Sequence, residues 1–244
     1  MEQINDLVGI NNLKIYQNDD WFKFSLESVL LPYFVTINLR TKNILDLCTG
    51  NAPIPLILST LTKASIVGVE IQKDIFNLAK KSVEINHLSN QIHLINDDLK
   101  NLKKYYHGDY FDVITVNPPY FKNNDNSLKN IDLHKSIARH ELSVSLDDII
   151  KMSCFLLKNN GRFAMVNRTE RFFEIIKLLE KHHLIPKRVQ FIYPKMNKES
   201  NLFMVECIKN GQDGVKILLP LCIHNDDGTY RDEIKLIFGY KEEK

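Results

Sequence analysis

Four consecutive residues, Asn117-Pro118-Pro119-Tyr120, close the apolar run Tyr110 to Val116. Such a run reads as a buried strand, and the carboxyl end of a strand is where open α/β sheets place their ligands. Two adjacent prolines remove two N–H donors and fix φ near −65°, and Pro119 holds Pro118 extended, so the backbone here is stiff. Stiffness lets the Asn117 carboxamide oxygen and the bare Pro118 carbonyl face one point with no ordering cost at the moment of reaction. Two fixed acceptors suit an amino group. If that amine attacks a cationic methyl donor, positive charge grows on its nitrogen, and oxygens already in place stabilise the charge. Tyr120 offers a flat face on which a planar amide or nucleobase can stack. The plainer reading is a strand-ending turn with a chance pair of prolines.

Three carboxylates stand at the ends of the preceding strand-like runs. Glu70 follows Ser65 to Val69 and can take both hydroxyls of an adenosine ribose, a group shared by NAD and S-adenosylmethionine. The turn after Ile44 to Leu47 separates these two cofactors. A dinucleotide needs G-x-G-x-x-G so that N–H groups can approach a pyrophosphate, whereas Asp46-Leu47-Cys48-Thr49-Gly50-Asn51-Ala52 holds one glycine. Asp46 in the same pocket repels phosphate and favours a cation, the sign of a sulfonium. Asp98, after Ile92 to Ile95, is placed to accept an adenine amino group, with the Leu99 backbone beside it. Each acid alone reads equally as an ordinary strand-end carboxylate. In series, with Asn117 on the next strand, they read as a site for S-adenosylmethionine.

Strand and helix patterns alternate from Asn43 onward, which predicts an α/β fold with a doubly wound, mostly parallel sheet over residues 41–244. Pro53 opens the first helix of this region, a second spans about Asp74 to Asn86, and Ser145 caps a third running to about Asn159. A fifth strand is expected over Arg162 to Asn167, a helix from about Thr169 to His182, and further strands over Arg188 to Tyr193 and Leu202 to Ile208. Residues 1–40 read as an extension: a hairpin of Leu13 to Tyr16 with Trp21 to Phe24, then a helix capped by Ser25 and reaching about Leu39. It is either a flap over the cofactor, with Gln17, Phe24 and Ser25 near it, or packing alone. Phe121 to Ser143 is a long polar loop, read as lying on the substrate side.

A chain of 244 residues with 44% hydrophobic and 25% charged residues has the composition of a globular protein able to bury a core. No apolar run reaches membrane-spanning length, and the acidic start does not read as a signal peptide. Four isolated cysteines and eight histidines show no metal spacing, so no metal is expected and the thiols read as free in a reducing cytoplasm. The net charge of +2 conceals a polarity: residues 151–200 hold 11 Lys and Arg against 4 Asp and Glu. A basic face of this kind can hold RNA through phosphate contacts, or be a solvated surface. Arg168 and Lys195 within that segment, and Arg139 and His140 at the close of the long loop, are the candidate RNA contacts. Whether the chain is a monomer or a weak dimer is not legible.

With Asp46, Gly50, Glu70, Asp98 and Asn117-Pro-Pro-Tyr120 in this order, the chain resembles the Rossmann-like class I methyltransferases that use S-adenosylmethionine to modify planar amino groups. It looks most like the bacterial tRNA1(Val) (adenine-37-N6)-methyltransferase family over about Asp6 to Gly239. Leu13-Lys-Ile-Tyr-Gln17, Phe22-Lys-Phe-Ser25, Ala138-Arg-His-Glu141 and Asn167-Arg-Thr-Glu-Arg171 add to the likeness. The resemblance implies a seven-stranded sheet, Asp46, Gly50, Glu70 and Asp98 on the cofactor, and Asn117, Pro118 and Tyr120 on a target adenine in a tRNA anticodon loop. Cys48 and Ala52 depart from the motif glycines, and Glu27 from the common Asp. The proline tetrapeptide fixes the reaction type, not the substrate. N5-methylation of a glutamine in a release factor, or a non-catalytic RNA-binding module on the same fold, are the alternatives.

Overall fold

The computed structural model describes residues 2–10, 12–18, 24–119 and 144–240. Its centre is a nine-stranded sheet. β3 (Asn43–Leu47), β4 (Ser65–Val69), β5 (Ile92–Ile95), β6 (Phe111–Val116) and β7 (Leu157–Arg168) lie parallel to their neighbours among these five. β9 (Leu202–Lys209) runs antiparallel between β7 and β8 (Leu184–Tyr193). The order is β10-β8-β9-β7-β6-β3-β4-β5, where β10 (Lys216–Ile217) is two residues long, and the equally short β11 (Leu221–Cys222) also pairs with β8. The seven long strands are those expected, and the two short ones are additions at the edge. Pro220 separates β10 from β11, since a proline cannot donate to a ladder.

Chain order reverses between β3 and β6. From β3 the strands run outward to β4 and β5, and β6 then returns to the other side of β3. The carboxyl ends of β3 and β6 therefore flank a switch point, where open α/β sheets leave a crevice for ligands.

Each face of the sheet carries its own core. Ile44, Ile66, Val113, Ala164 and Val166 pack under α1 (Leu26–Phe34), α2 (Pro53–Leu61) and α3 (Lys73–Ile85). Leu45, Leu47, Ile114, Val116, Phe163 and Met165 face α4 (Leu146–Leu156) and α5 (Phe172–Lys181). The alternation of the two sets along β3, β6 and β7 is the period of two that a sheet covered on both faces requires. A short helix, α6 (Asp232–Ile237), adds Ile234 to the first core.

The extension contains a hairpin that the sequence pattern did not announce. Lys14–Asn18 (β2) pairs with Glu2–Asp6 (β1), and of the expected partner Trp21 to Phe24 all but Phe24 lies outside the described residues. β1 has no buried residue, so its sequence carries no apolar alternation to reveal it. Its turn is legible in retrospect: Gly9 and Asn12 adopt φ of 65° and 58°, in the left-handed region these residues tolerate. The hairpin docks on α3, where Tyr16 N–H donates to Ser82 Oγ at 2.9 Å.

Other boundaries also move: β8 begins at Leu184 rather than Arg188, and α5 at Phe172, after a 3-10 turn at Thr169–Arg171. α1 stops at Phe34 rather than Leu39 because the chain turns to reach Glu206 of β9. Glu206, with no exposed surface, accepts from Thr36 N–H at 2.6 Å and Thr36 Oγ1 at 3.1 Å, and pairs with Arg162 at 2.9 Å and Arg188 at 3.2 Å. Arg188 Nη2 also donates to the Phe34 carbonyl, closing the helix end. α4 stops at Leu156, and β7 begins at Leu157 because Leu157 already pairs with Phe111.

Glu206 is one acceptor shared by two strands and the chain leaving α1. Glu206→Ala leaves two arginines facing each other with no counter-charge and is expected to destabilise the fold by about 3 kcal/mol, read by urea unfolding. A change below about 0.5 kcal/mol would show that solvent replaces the carboxylate.

Candidate functional site

The turn after β3 is tight. Cys48, Gly50 and Ala52 take φ of 56°, 59° and 71°, so three of five residues are left-handed, two of them without glycine's freedom. Such strain persists only where surroundings over-determine it. Here two acids do so. Glu70 accepts the Gly50 N–H on Oε2 at 3.0 Å and the Gln72 N–H on Oε1 at 2.9 Å, tying the turn to the end of β4. Asp46 accepts the Thr49 hydroxyl on Oδ2 at 2.6 Å and the Thr115 hydroxyl on Oδ1 at 2.7 Å, tying it to β6. Asp46 and Thr115 are register partners on one face, so this contact follows from strand pairing.

Asp46 has no exposed surface, and burial pushes its carboxyl up from 3.8 to about 7 against the two hydroxyls that favour ionisation, with Glu70 adding to the rise. Cys48 is pushed well above the ordinary thiol range by burial first, then by the charges of Glu70, Asp46 and Asp98. All three acids thus act on one point beside the turn.

Among the described residues, its chain neighbours apart, no heavy atom lies within 4 Å of where a Cβ of Gly50 would stand, so the turn presents bare backbone there. At the end of β5, Asp98 caps a 3-10 turn, Leu99–Lys104, by accepting the Lys100 N–H at 2.9 Å, and Leu99 is buried. Asn96 holds the carbonyls of Glu70 and Ile71 at 2.8 and 3.1 Å and so joins the ends of β4 and β5.

Asn117 follows β6 directly. Leu47 pairs with Val116, so Cys48 and Asn117 leave adjacent strands side by side. The Asn117 Nδ2 donates to Ser28 Oγ at 3.0 Å and Ser25 Oγ at 3.4 Å, both on or beside α1. Pro118 is buried and Pro119 exposed. Gln17 is 5% exposed, and its Oε1 accepts the Phe24 N–H at 3.3 Å, bracing the entry to α1. Asn51, also buried, donates to the Tyr16 carbonyl at 2.8 Å, so the hairpin reaches the turn itself.

The structure thus brings Asp46, Gly50, Glu70, Asp98, Leu99 and Asn117 to one end of the sheet, with Gln17 and Ser25 arriving from the extension. Arg168, at the end of β7, and Lys195, after β8, belong to that same end, because β6, β7 and β8 point the same way. Lys195 Nζ donates to the Asp226 carbonyl at 2.9 Å. Tyr120, Arg139 and His140 lie outside the described residues. Thr49, Thr115, Ser28 and Asn96 were not legible as site residues. A hydroxyl matters here only because strand register puts it opposite an acid, and a single sequence carries no register. Among the described residues no group of His, Cys, Asp and Glu is arranged to hold a metal, and no helix is long and apolar enough to cross a membrane.

The profile of the family described as methyltransferase domain matches residues 39–216. This chain belongs to the methyltransferase domain family. A tRNA1(Val) (adenine(37)-N6)-methyltransferase of Bacteroides thetaiotaomicron is 27% identical over 214 residues, covering 86% of this chain and 87% of the relative. The protein of the same name from Aliivibrio salmonicida is 27% identical over 213 residues, with 87% of each covered. Among solved structures, the predicted O-methyltransferase Atu636 of Agrobacterium tumefaciens superposes with a TM-score of 0.70 at 17% identity, over 87% of this chain and 96% of that one. Pyrococcus horikoshii TYW2, in complex with MeSAdo, does so at 0.59 and 12% identity, over 86% and 72%. At such identities the likeness is one of fold. This domain is a Rossmann-like methyltransferase fold, with its two shared strand ends at the switch point.

The buried acid gives a pH signature. The folded value of Asp46, about 7, lies above the unfolded 3.8, so the folded chain holds the proton more tightly. Its contribution to stability is complete below about pH 4 and is lost as pH rises through about 7. Asp46→Asn, which cannot ionise, is expected to flatten the melting temperature between about pH 5 and 8. An unchanged slope would mean that the carboxyl ionises without cost. Gly50→Ala is expected to cost about 1–2 kcal/mol in urea unfolding, from the left-handed backbone alone, because the methyl meets nothing.

Proposed function

We propose that this methyltransferase domain transfers a methyl group from S-adenosylmethionine to the exocyclic N6 of an adenine in tRNA, adenine 37 beside the anticodon of tRNA1(Val). One observation carries the reading: the turn braced by Glu70 and the amide of Asn117 emerge side by side from β3 and β6 at the switch point. The two relatives described above bear the name of that activity, which supports the choice of adenine over a glutamine amide. Arg168 and Lys195 at the same end of the sheet support an RNA substrate through phosphate contacts.

The residues present suit the cofactor. The bare backbone at Gly50 admits a ligand close to it, and the strand-end carboxylate of Glu70 matches a ribose diol. Asp46 beneath the turn matches a positive charge, because a cation nearby favours its ionised form. Asp98 and the Leu99 backbone lie where an adenine edge is recognised in this reading. S-adenosylmethionine bound there supplies a methyl group made electrophilic by its sulfonium.

The chain then has two tasks. Asn117 and the Pro118 carbonyl hold the target amine by its protons and stabilise the positive charge that its nitrogen gains. Tyr120 stacks on the base, worth about 1–3 kcal/mol toward the cost of taking it out of its own stack, a cost lowest in a loop. Orientation of the amine supplies much of the rest, since near-attack alignment is worth on the order of 7–11 kcal/mol. No side-chain base is assigned, because the product amine is already cationic and gives its proton to water.

The reading separates two variants. Asn117→Ala is expected to lower transfer to bulk tRNA at least about a hundredfold with cofactor affinity within about twofold. Glu70→Ala is expected to weaken cofactor binding in calorimetry. Wild-type transfer by Asn117→Ala removes the assigned role of the amide. Label arriving on a release-factor glutamine, and not on tRNA, replaces adenine with the protein amide as substrate.

A further inference from the structure

Among the described residues four acids are buried: Glu27, Asp46, Glu70 and Glu206. Three of them are accounted for within the protein. Glu206 meets two arginines, Asp46 accepts two hydroxyls, and Glu70 accepts the N–H groups of Gly50 and Gln72. Glu27 is the exception. It is 9% exposed, and among the described residues it has no hydrogen-bond or ion-pair partner.

A carboxylate that has lost most of its hydration and gained no partner is unfavourable until a cation or a set of donors arrives. Its place in the first turn of α1 favours negative charge, but an exposed side chain would serve the helix dipole as well. Glu27 instead heads the stripe Glu27, Leu30, Leu31 and Phe34, the face that α1 turns to the core. The pattern calls for an apolar residue at that position, and an acid stands there. Its oxygens are not sealed off. The partnerless side-chain atoms without surface, among the described residues, are Asn167 Nδ2 and Arg171 Nη1. The carboxylate of Glu27 therefore opens on a narrow crevice.

Packing fixes where that crevice lies. Ser25 and Ser28, which flank Glu27 in α1, both contact the amide of Asn117. α2 starts where the turn after β3 ends, and α1 packs against α2. The first turn of α1 is thus beside Asn117 and next to the turn that carries Gly50.

The proposed cofactor contacts run in order along this end of the sheet. β5 brings Asp98 to the adenine, β4 brings Glu70 to the ribose, and β3 brings the turn. S-adenosylmethionine is built as adenine, ribose, sulfonium and amino acid. With its first two groups on β5 and β4, its amino acid falls on the β6 side of the turn, where α1 begins. That end carries an ammonium, whose charge and N–H donors are what an unpaired carboxylate lacks. The sulfonium has no N–H to give, and the target amine is neutral when it binds.

We infer that Glu27 binds the ammonium of the cofactor's methionine moiety. This rests on the proposed use of S-adenosylmethionine, and the test separates the site from the reaction.

Calorimetry on the full chain compares wild type with Glu27→Gln, which keeps the side chain's size and removes its charge. The probes are S-adenosylmethionine, S-adenosylhomocysteine, and the analogue of the latter that lacks the amino group. Glu27→Gln is expected to weaken the first two at least about tenfold each and to leave the third within about twofold. Equal changes for all three, or none for any, overturn the inference. A loss for S-adenosylmethionine alone assigns Glu27 to the sulfonium and also overturns it.

Stability without ligand gives a second readout. An unpaired buried charge costs stability, so Glu27→Gln is expected to unfold at the urea midpoint of wild type or above it. A lower midpoint with an unselective loss of all three ligands marks a structural role and overturns the inference. A wild type that binds S-adenosylmethionine through Glu27 but methylates no RNA overturns the proposed substrate and leaves the ammonium site standing. Failure of wild type to bind S-adenosylmethionine overturns both.

Discussion

The left-handed turn between β3 and α2 is the constraint on which the rest depends. Its φ values of 56°, 59° and 71° at Cys48, Gly50 and Ala52 are unfavourable for two of the three residues, and the bonds from Glu70 and Asp46 help to make them the stable choice. Glu70 fixes the turn from β4 and Asp46 fixes it from below, through Thr49 and, on β6, Thr115. The same two acids therefore hold the backbone, set the local field and line up β3 with β6. Removing either loosens all three.

Burial gives Asp46 a second character. A carboxylate kept from water is costly, and Asp46 meets that cost by holding its proton up to about pH 7. Glu206 shows the contrast on the same sheet: there two arginines compensate the charge within the protein, and the result is a structural joint.

Much of this was legible in the sequence. The strands at Ile44 to Leu47, Ser65 to Val69 and Ile92 to Ile95 announce themselves because strands buried on both faces are continuous apolar runs. Glu70, Asp98 and Asn117 announce themselves by following such runs. What was not legible depends on contacts between distant segments. β1 has no apolar face to give it away. α1 stops early because Thr36 is drawn to Glu206, 170 residues later. The serine hydroxyls met by Asn117 are 89 and 92 residues from it, and nothing in a single chain's pattern marks that meeting. Local propensity and periodicity read elements, whereas the partners of polar side chains are set by how elements come together.

The extension illustrates how function follows from that assembly. Its hairpin reaches the turn through Tyr16 and Asn51, and its helix reaches Asn117 through two serines. The turn after β3, Asn117 and the extension are therefore one mechanical unit at one end of the sheet. The central claim is that this unit delivers a methyl group to an adenine in RNA. Its most direct test is mass-spectrometric mapping of modified adenosines in tRNA from cells with and without the protein. The account predicts that N6-methyladenosine at one anticodon-loop position disappears when the protein is absent and returns when it is restored. An unchanged pattern at every adenine would contradict it.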